Sequence, residues 1–172
     1  MNNKQVVSEI QNAFQNTPYP HDNDIGRDEY EGQELWKPLQ NRHWSEVPLE
    51  LIKRYRDELS MFSYEGFRFY LPAFMLAILL HPDEVDTLHS NLLVNLTPLD
   101  YVSRQMNSSL KTTNSGLEGF RRRAKLFSQQ EGTAIIAFLN FYKQEYSEEY
   151  PVRELKLVDG ALDFWKQQSP EQ

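Results

Sequence analysis

The chain contains no cysteine, which excludes disulfides, thiolate nucleophiles and thiolate metal sites together and fits a reducing compartment. Glycine is scarce, with seven in 172 residues. A glycine-rich phosphate loop therefore has little material, and no glycine-flanked serine elbow is present. Positive charge is in deficit. The 18 Lys+Arg stand against 25 Asp+Glu, a net of −7, and such a balance repels nucleic acid and anionic membrane unless a local basic face overcomes it. Long hydrophobic runs are missing as well: Phe69 to Leu80 is a twelve-residue apolar stretch interrupted by Pro72, whereas a membrane-spanning helix needs about 20. The opening MNNKQVVSEIQNAF is amphipathic, unlike the uniformly apolar core of a secretory signal. The expectation is a cytoplasmic protein with no cofactor, no bound metal and no membrane partner.

Helical punctuation is what the sequence does contain. Val6, Ile10, Ala13 and Phe14 fall at helical spacing until Thr17-Pro18-Tyr19-Pro20 forces extended backbone. Pro48 suits the first turn of a helix faced by Leu51, Ile52, Tyr55 and Leu59. Ser63 can cap the apolar segment that follows. Thr97-Pro98-Leu99-Asp100 reads as a capping box continued by Leu99, Val102, Met106 and Leu110 towards a loop at 112–116, and Ser128-Gln129-Gln130-Glu131 as a better one leading through Tyr146. A last helix begins at Tyr150-Pro151 and carries the stripe Leu155, Val158, Leu162, Trp165. No internal repeat and no convincing strand appears. The reading is an all-α single domain over 1–172, an irregular bundle of six or seven helices, with a long acidic and aromatic loop over 21–44 that holds at most a short helix near Glu29 to Trp36. A chain of this length buries roughly 70% of its unfolded surface.

Several segments together resemble a known family. They are Ile10-Gln11-Asn12-Ala13-Phe14, the Pro18-Tyr19-Pro20 turn, Trp44 before a helix, Glu65-Gly66-Phe67-Arg68-Phe69-Tyr70-Leu71-Pro72-Ala73-Phe74, and Phe127-Ser128-Gln129-Gln130 leading to Ile136-Ala137-Phe138-Leu139. The pattern is similar to a family of uncharacterised bacterial proteins described only as a domain of unknown function. The resemblance implies a bacterial cytosolic helical domain and transfers no catalytic residue.

Three places could carry function. Pro72 inside a helix begun at Ser63 cannot donate to the Arg68 carbonyl, a defect of about 3 kcal/mol or more. It either kinks one helix or starts a second, and the freed carbonyl with Arg68 and Tyr70 could line a ligand notch. The acidic segment is the second place. Asp28, Tyr30, Glu31, Glu34, Trp36 and Trp44 could present aromatic anchors amid negative charge to a basic protein partner, as an immunity or antitoxin-like module would, or the two tryptophans could be core residues under a long loop. Calcium is a poor fit there, because an EF-hand loop begun at Asp22 would put an oxygen ligand at Gly26, its glycine at Arg27 and a glutamate at Gln33. The third is the basic run Arg121, Arg122, Arg123 and Lys125, able to hold phosphate or to face solvent. His21, His43, His81 and His89 show no metal-ligand spacing. Interaction with another protein is the leading reading, and the protein leans away from enzymatic chemistry. A small-molecule site or enzyme at the Pro72 segment is the alternative, and self-association through the Leu155 to Trp165 stripe a third. The oligomeric state is open.

Overall fold

The computed structural model describes residues 1–27, 33–85, 87–105, 114–146 and 152–168. Among them eight α-helices follow in order: α1 (Asn3–Phe14), α2 (Leu49–Tyr55), α3 (Tyr64–Leu80), α4 (Leu88–Leu96), α5 (Leu99–Gln105), α6 (Asn114–Ala124), α7 (Gln129–Glu145) and α8 (Val152–Gln168). Short 3-10 turns stand between them at Asp22–Asp24, Gln33–Leu39, Trp44–Glu46, Leu59–Met61 and Pro82–Glu84. No strand occurs among the described residues, only an isolated antiparallel bridge between Gly26 and Phe62. The protein is all-α. It has more helices than the six or seven expected, because α4 and α6 were not read from the sequence. The chain forms two compact units, Phe14–Leu92 and Met1–Ala13 with Leu93–Gln172.

In the Phe14–Leu92 unit the centre is α3. Ser63 caps it, its hydroxyl oxygen accepting from Gly66 N at 2.8 Å, and the same hydroxyl donates to the Asp24 carbonyl. The helix then runs unbroken through Pro72, so the proline neither splits the segment nor opens a second helix. Near-complete burial of Phe67, Phe69, Tyr70, Leu71, Phe74, Met75, Ile78 and Leu79, at about 1.5–3 kcal/mol for each large apolar side chain, outweighs the lost bond. Gly66 is needed for close approach. A Cβ there would lie 2.1 Å from the Ile25 carbonyl oxygen, inside any allowed contact.

Around α3 pack α2 and the Trp44–Glu46 turn, with an aromatic cluster at the heart. Trp36 stacks on Tyr55 at 5.6 Å and 13° and lies 4.6 Å from Phe62. Irregular backbone leaves carbonyls that helices would otherwise satisfy, and buried ones need donors. Aromatic side chains supply them here. Tyr55 donates to Leu35 O at 2.6 Å, Tyr70 to Leu39 O at 2.7 Å and Trp44 Nε1 to Phe14 O at 3.2 Å.

The other unit is helix on helix. The Ser128 hydroxyl accepts from Glu131 N at 3.2 Å while the Glu131 carboxylate accepts from Ser128 N at 2.6 Å, the capping box read from the sequence. The α7 helix it starts is buried on most sides and packs along α8. Thr97 does not cap α5. Its hydroxyl lies 2.6 Å from Leu93 O and 3.1 Å from Leu157 O, so it fastens α4 to α8 instead. Val158, Leu162 and Trp165 are buried, and Trp165 Nε1 donates to Leu96 O at 2.9 Å. Three of the four residues of the stripe expected to self-associate are thus buried within the unit, and Leu155 is half-buried.

Candidate functional site

Asp28, Tyr30 and Glu31 lie outside the described residues. Glu34 is exposed, its carboxylate 2.5 Å from Lys37 Nζ in an i, i+3 pair. Trp36 and Trp44, expected as anchors for a partner, are interior at 2% and 4% exposure. Trp36 Nε1 has no hydrogen-bond partner among the described residues, and it sits against Gly26, where a Cβ would come within 1.8 Å. A ring packed against backbone in this way cannot receive a partner's side chain. Both tryptophans are part of the core of the Phe14–Leu92 unit.

The residues around Pro72 also separate. Pro72 and Tyr70 are buried, whereas Arg68 is half-buried on the same helix. The Tyr70 hydroxyl is taken up by backbone, with Leu39 O at 2.7 Å and Arg42 O at 3.1 Å. Burial raises its pKa far above the ordinary tyrosine value, with the Tyr19 hydroxyl and the Asp22 carboxylate adding to the effect. Such a phenol stays protonated and serves as a donor; it is neither base nor nucleophile.

The basic run divides by helical rotation. Arg121, Arg122 and Lys125 are exposed, but Arg123 is 7% exposed. It donates to Asn95 O at 2.5 Å and lies over the Phe120 ring at 5.6 Å. Arg122 stands 3.7 Å from Glu118. A buried, hydrogen-bonded Arg123 is a structural tie and leaves the exposed patch one cation poorer than the sequence suggested.

What the sequence reading missed is a polar corner in the Phe14–Leu92 unit. The Tyr19 hydroxyl donates to the Asp22 carboxylate. Asn41 donates from its backbone N to the Tyr19 oxygen at 2.9 Å and to Asp22 Oδ1 at 3.2 Å, and from its side chain to Asp22 Oδ2 at 3.1 Å. Asn41 takes a left-handed conformation, φ 56°, which asparagine tolerates better than most residues. The Tyr19 ring meets Phe69 edge-on at 5.1 Å, and Phe69 in turn meets His43 at 5.6 Å. Burial, then the Asp22 carboxylate, raises the Tyr19 pKa. The Pro18-Tyr19-Pro20 turn followed by Asp22 was the available signal, but its partner is nearly twenty residues away in sequence.

Among the described residues no three His, Asp or Glu side chains are placed to hold a metal ion, and no helix is long and apolar enough to cross a membrane. These features define a class first: an all-α protein with aromatic-rich helical units and a hydrogen-bonded polar corner on one of them. The chain belongs to DUF6714, a family of unknown function whose model matches residues 2–169. No curated protein and no solved structure matches it.

Proposed function

We propose that the protein acts by binding a basic protein, and that the Phe14–Leu92 unit is the part that binds. The supporting observation is how charge divides between the units. Phe14–Leu92 carries 14 Asp+Glu against seven Lys+Arg, a net of −7, whereas the rest of the chain carries 11 against 11, a net of zero. The whole excess of negative charge sits on one folded unit. A field concentrated in that way steers a cationic partner and raises its association rate. With Trp36 and Trp44 interior, the contact rests on charge and exposed polar groups, and it is correspondingly sensitive to salt. A cytoplasmic setting and bacterial origin belong to the same proposal.

The test is capture from the native cell lysate at low and high salt, comparing wild type with an Asp28→Asn, Glu29→Gln, Glu31→Gln, Glu34→Gln variant. A stoichiometric basic protein lost both in the variant and near 1 M salt, where the screening length falls to about 3 Å, is the expected result. A partner retained equally in every condition would overturn the assignment of binding to this charge.

A further inference from the structure

Tyr19 is the one residue of the polar corner with a large ring left in solvent, 38% exposed. Its hydroxyl is fixed by Asp22 and Asn41, and its ring packs perpendicular to Phe69. A ring held from both ends loses little freedom when something lies on it, which is the condition under which an aromatic contact contributes most to binding. Beside it the Asp22 carboxylate accepts two bonds on Oδ1 and one on Oδ2. A carboxylate offers about four lone-pair sites, so Oδ2 retains one for a further donor. A ring partly in solvent, with an anionic acceptor bonded to its rim, suits a flat cation better than a compact one. Guanidinium stacks on aromatic faces and donates in its own plane, whereas ammonium is a strongly hydrated point charge.

We infer that Tyr19 and Asp22 form an arginine-reading contact, in which an arginine of the basic partner stacks on the Tyr19 ring and donates to Asp22 Oδ2. This rests on the acidic-surface reading above and adds the residue type that the partner presents. Asn41 is a positioning residue: its amides hold the carboxylate at the ring's rim. The raised Tyr19 pKa, from burial and the neighbouring carboxylate, is consistent with a phenol that stays neutral and keeps the ring in place.

The probes are an oligo-arginine and an oligo-lysine peptide of equal length, titrated into the full chain at low salt by calorimetry. Wild type should bind the arginine peptide about two- to fivefold more tightly, the size of an exposed cation–π contact. Tyr19→Leu should abolish that preference, and Tyr19→Phe, which keeps the ring but loses the hydroxyl that fixes it, should retain part of it. Intermolecular NOEs in wild type, between arginine side-chain protons and the Tyr19 ring, give a readout that needs no variant. Equal affinity for the two peptides, a preference that survives Tyr19→Leu, or NOEs to a different ring would each overturn the arginine contact alone. Failure of either peptide to bind wild type would overturn the acidic-surface reading with it.

Discussion

Phe14–Leu92 and the remainder of the chain each close over a 17-residue helix that is apolar on most sides, α3 in the first and α7 in the second. The surroundings of those helices differ. Around α7 lies another long helix, whose backbone satisfies itself, and the unit is electrically neutral. Around α3 lie short helices, turns and extended chain, with carbonyls met by tyrosine and tryptophan donors, and the unit carries all the excess charge and all four histidines. The difference teaches that similar apolar helices can be buried by two strategies. One packs helix along helix, with a few side-chain ties such as Trp165 to Leu96 O; the other wraps its helix in irregular chain, pinned where tyrosine and tryptophan meet its carbonyls.

The largest expected effect comes from matched core truncations. Phe62 and Phe138 are both fully buried, one in each unit, and Phe→Ala at such a site costs about 3–5 kcal/mol. Denaturant melts should show losses of that size for both Phe62→Ala and Phe138→Ala. Native-state hydrogen exchange should show protection falling first in the unit that carries the substitution. Equal loss throughout the chain for both variants would break the comparison, because the units would then open as one.

A smaller effect distinguishes the pinned unit from the regular one. Tyr19, Tyr55 and Tyr70, all in Phe14–Leu92, have raised pKa values, each chiefly through burial. In the unfolded chain these phenols ionise near pH 10. Above that pH the unfolded state releases protons that the folded state retains, so the stability the phenols contribute is full below about pH 10 and declines as pH rises. Tyr70→Phe should lower stability at neutral pH by about 1–3 kcal/mol, since buried carbonyls of Leu39 and Arg42 lose a donor. It should also make the alkaline decline shallower, as read by urea midpoints from pH 8 upward. An unchanged alkaline slope in Tyr70→Phe would remove the buried phenol from the account.

The legible parts of this fold are those with local signals. Ser63 and Ser128 announce their helices because a cap is decided within three residues, and the apolar runs after them leave only burial as an outcome. The tryptophans could be read either as partner anchors or as core, because 3-10 turns at Gln33–Leu39 and Trp44–Glu46 carry no 3.6-residue period that would decide it; burial settles them as core. Arg123 shows the reverse error. Four basic residues within five positions look like one patch, but about 100° of rotation per residue turns one of them inward to Asn95. The Pro18-Tyr19-Pro20 turn and the acidic run after it are local signals, but the Asn41 contact that completes the Tyr19 corner and the unit boundary that divides the charge depend on contacts distant in sequence. Of the residues proposed from sequence for the acidic surface, Glu34 is the one that the structure describes as exposed.

The smallest expected effect concerns charge in the neutral unit. Lys143 Nζ lies 2.7 Å from Asp159 Oδ1 across the α7–α8 pair, with both side chains about half exposed. Solvent screens such a pair, and holding two side chains together offsets much of the attraction, so Asp159→Asn should cost less than about 1 kcal/mol and the loss should shrink further in high salt. The measurement is a denaturant midpoint at two salt concentrations. A loss of about 2 kcal/mol or more, outside the usual range for exposed pairs, would mean that charge holds α7 against α8 alongside their apolar faces. Neutrality in this unit would then reflect charges committed to internal pairing, and the contrast with the net excess on Phe14–Leu92 would sharpen into a difference of use as well as of amount.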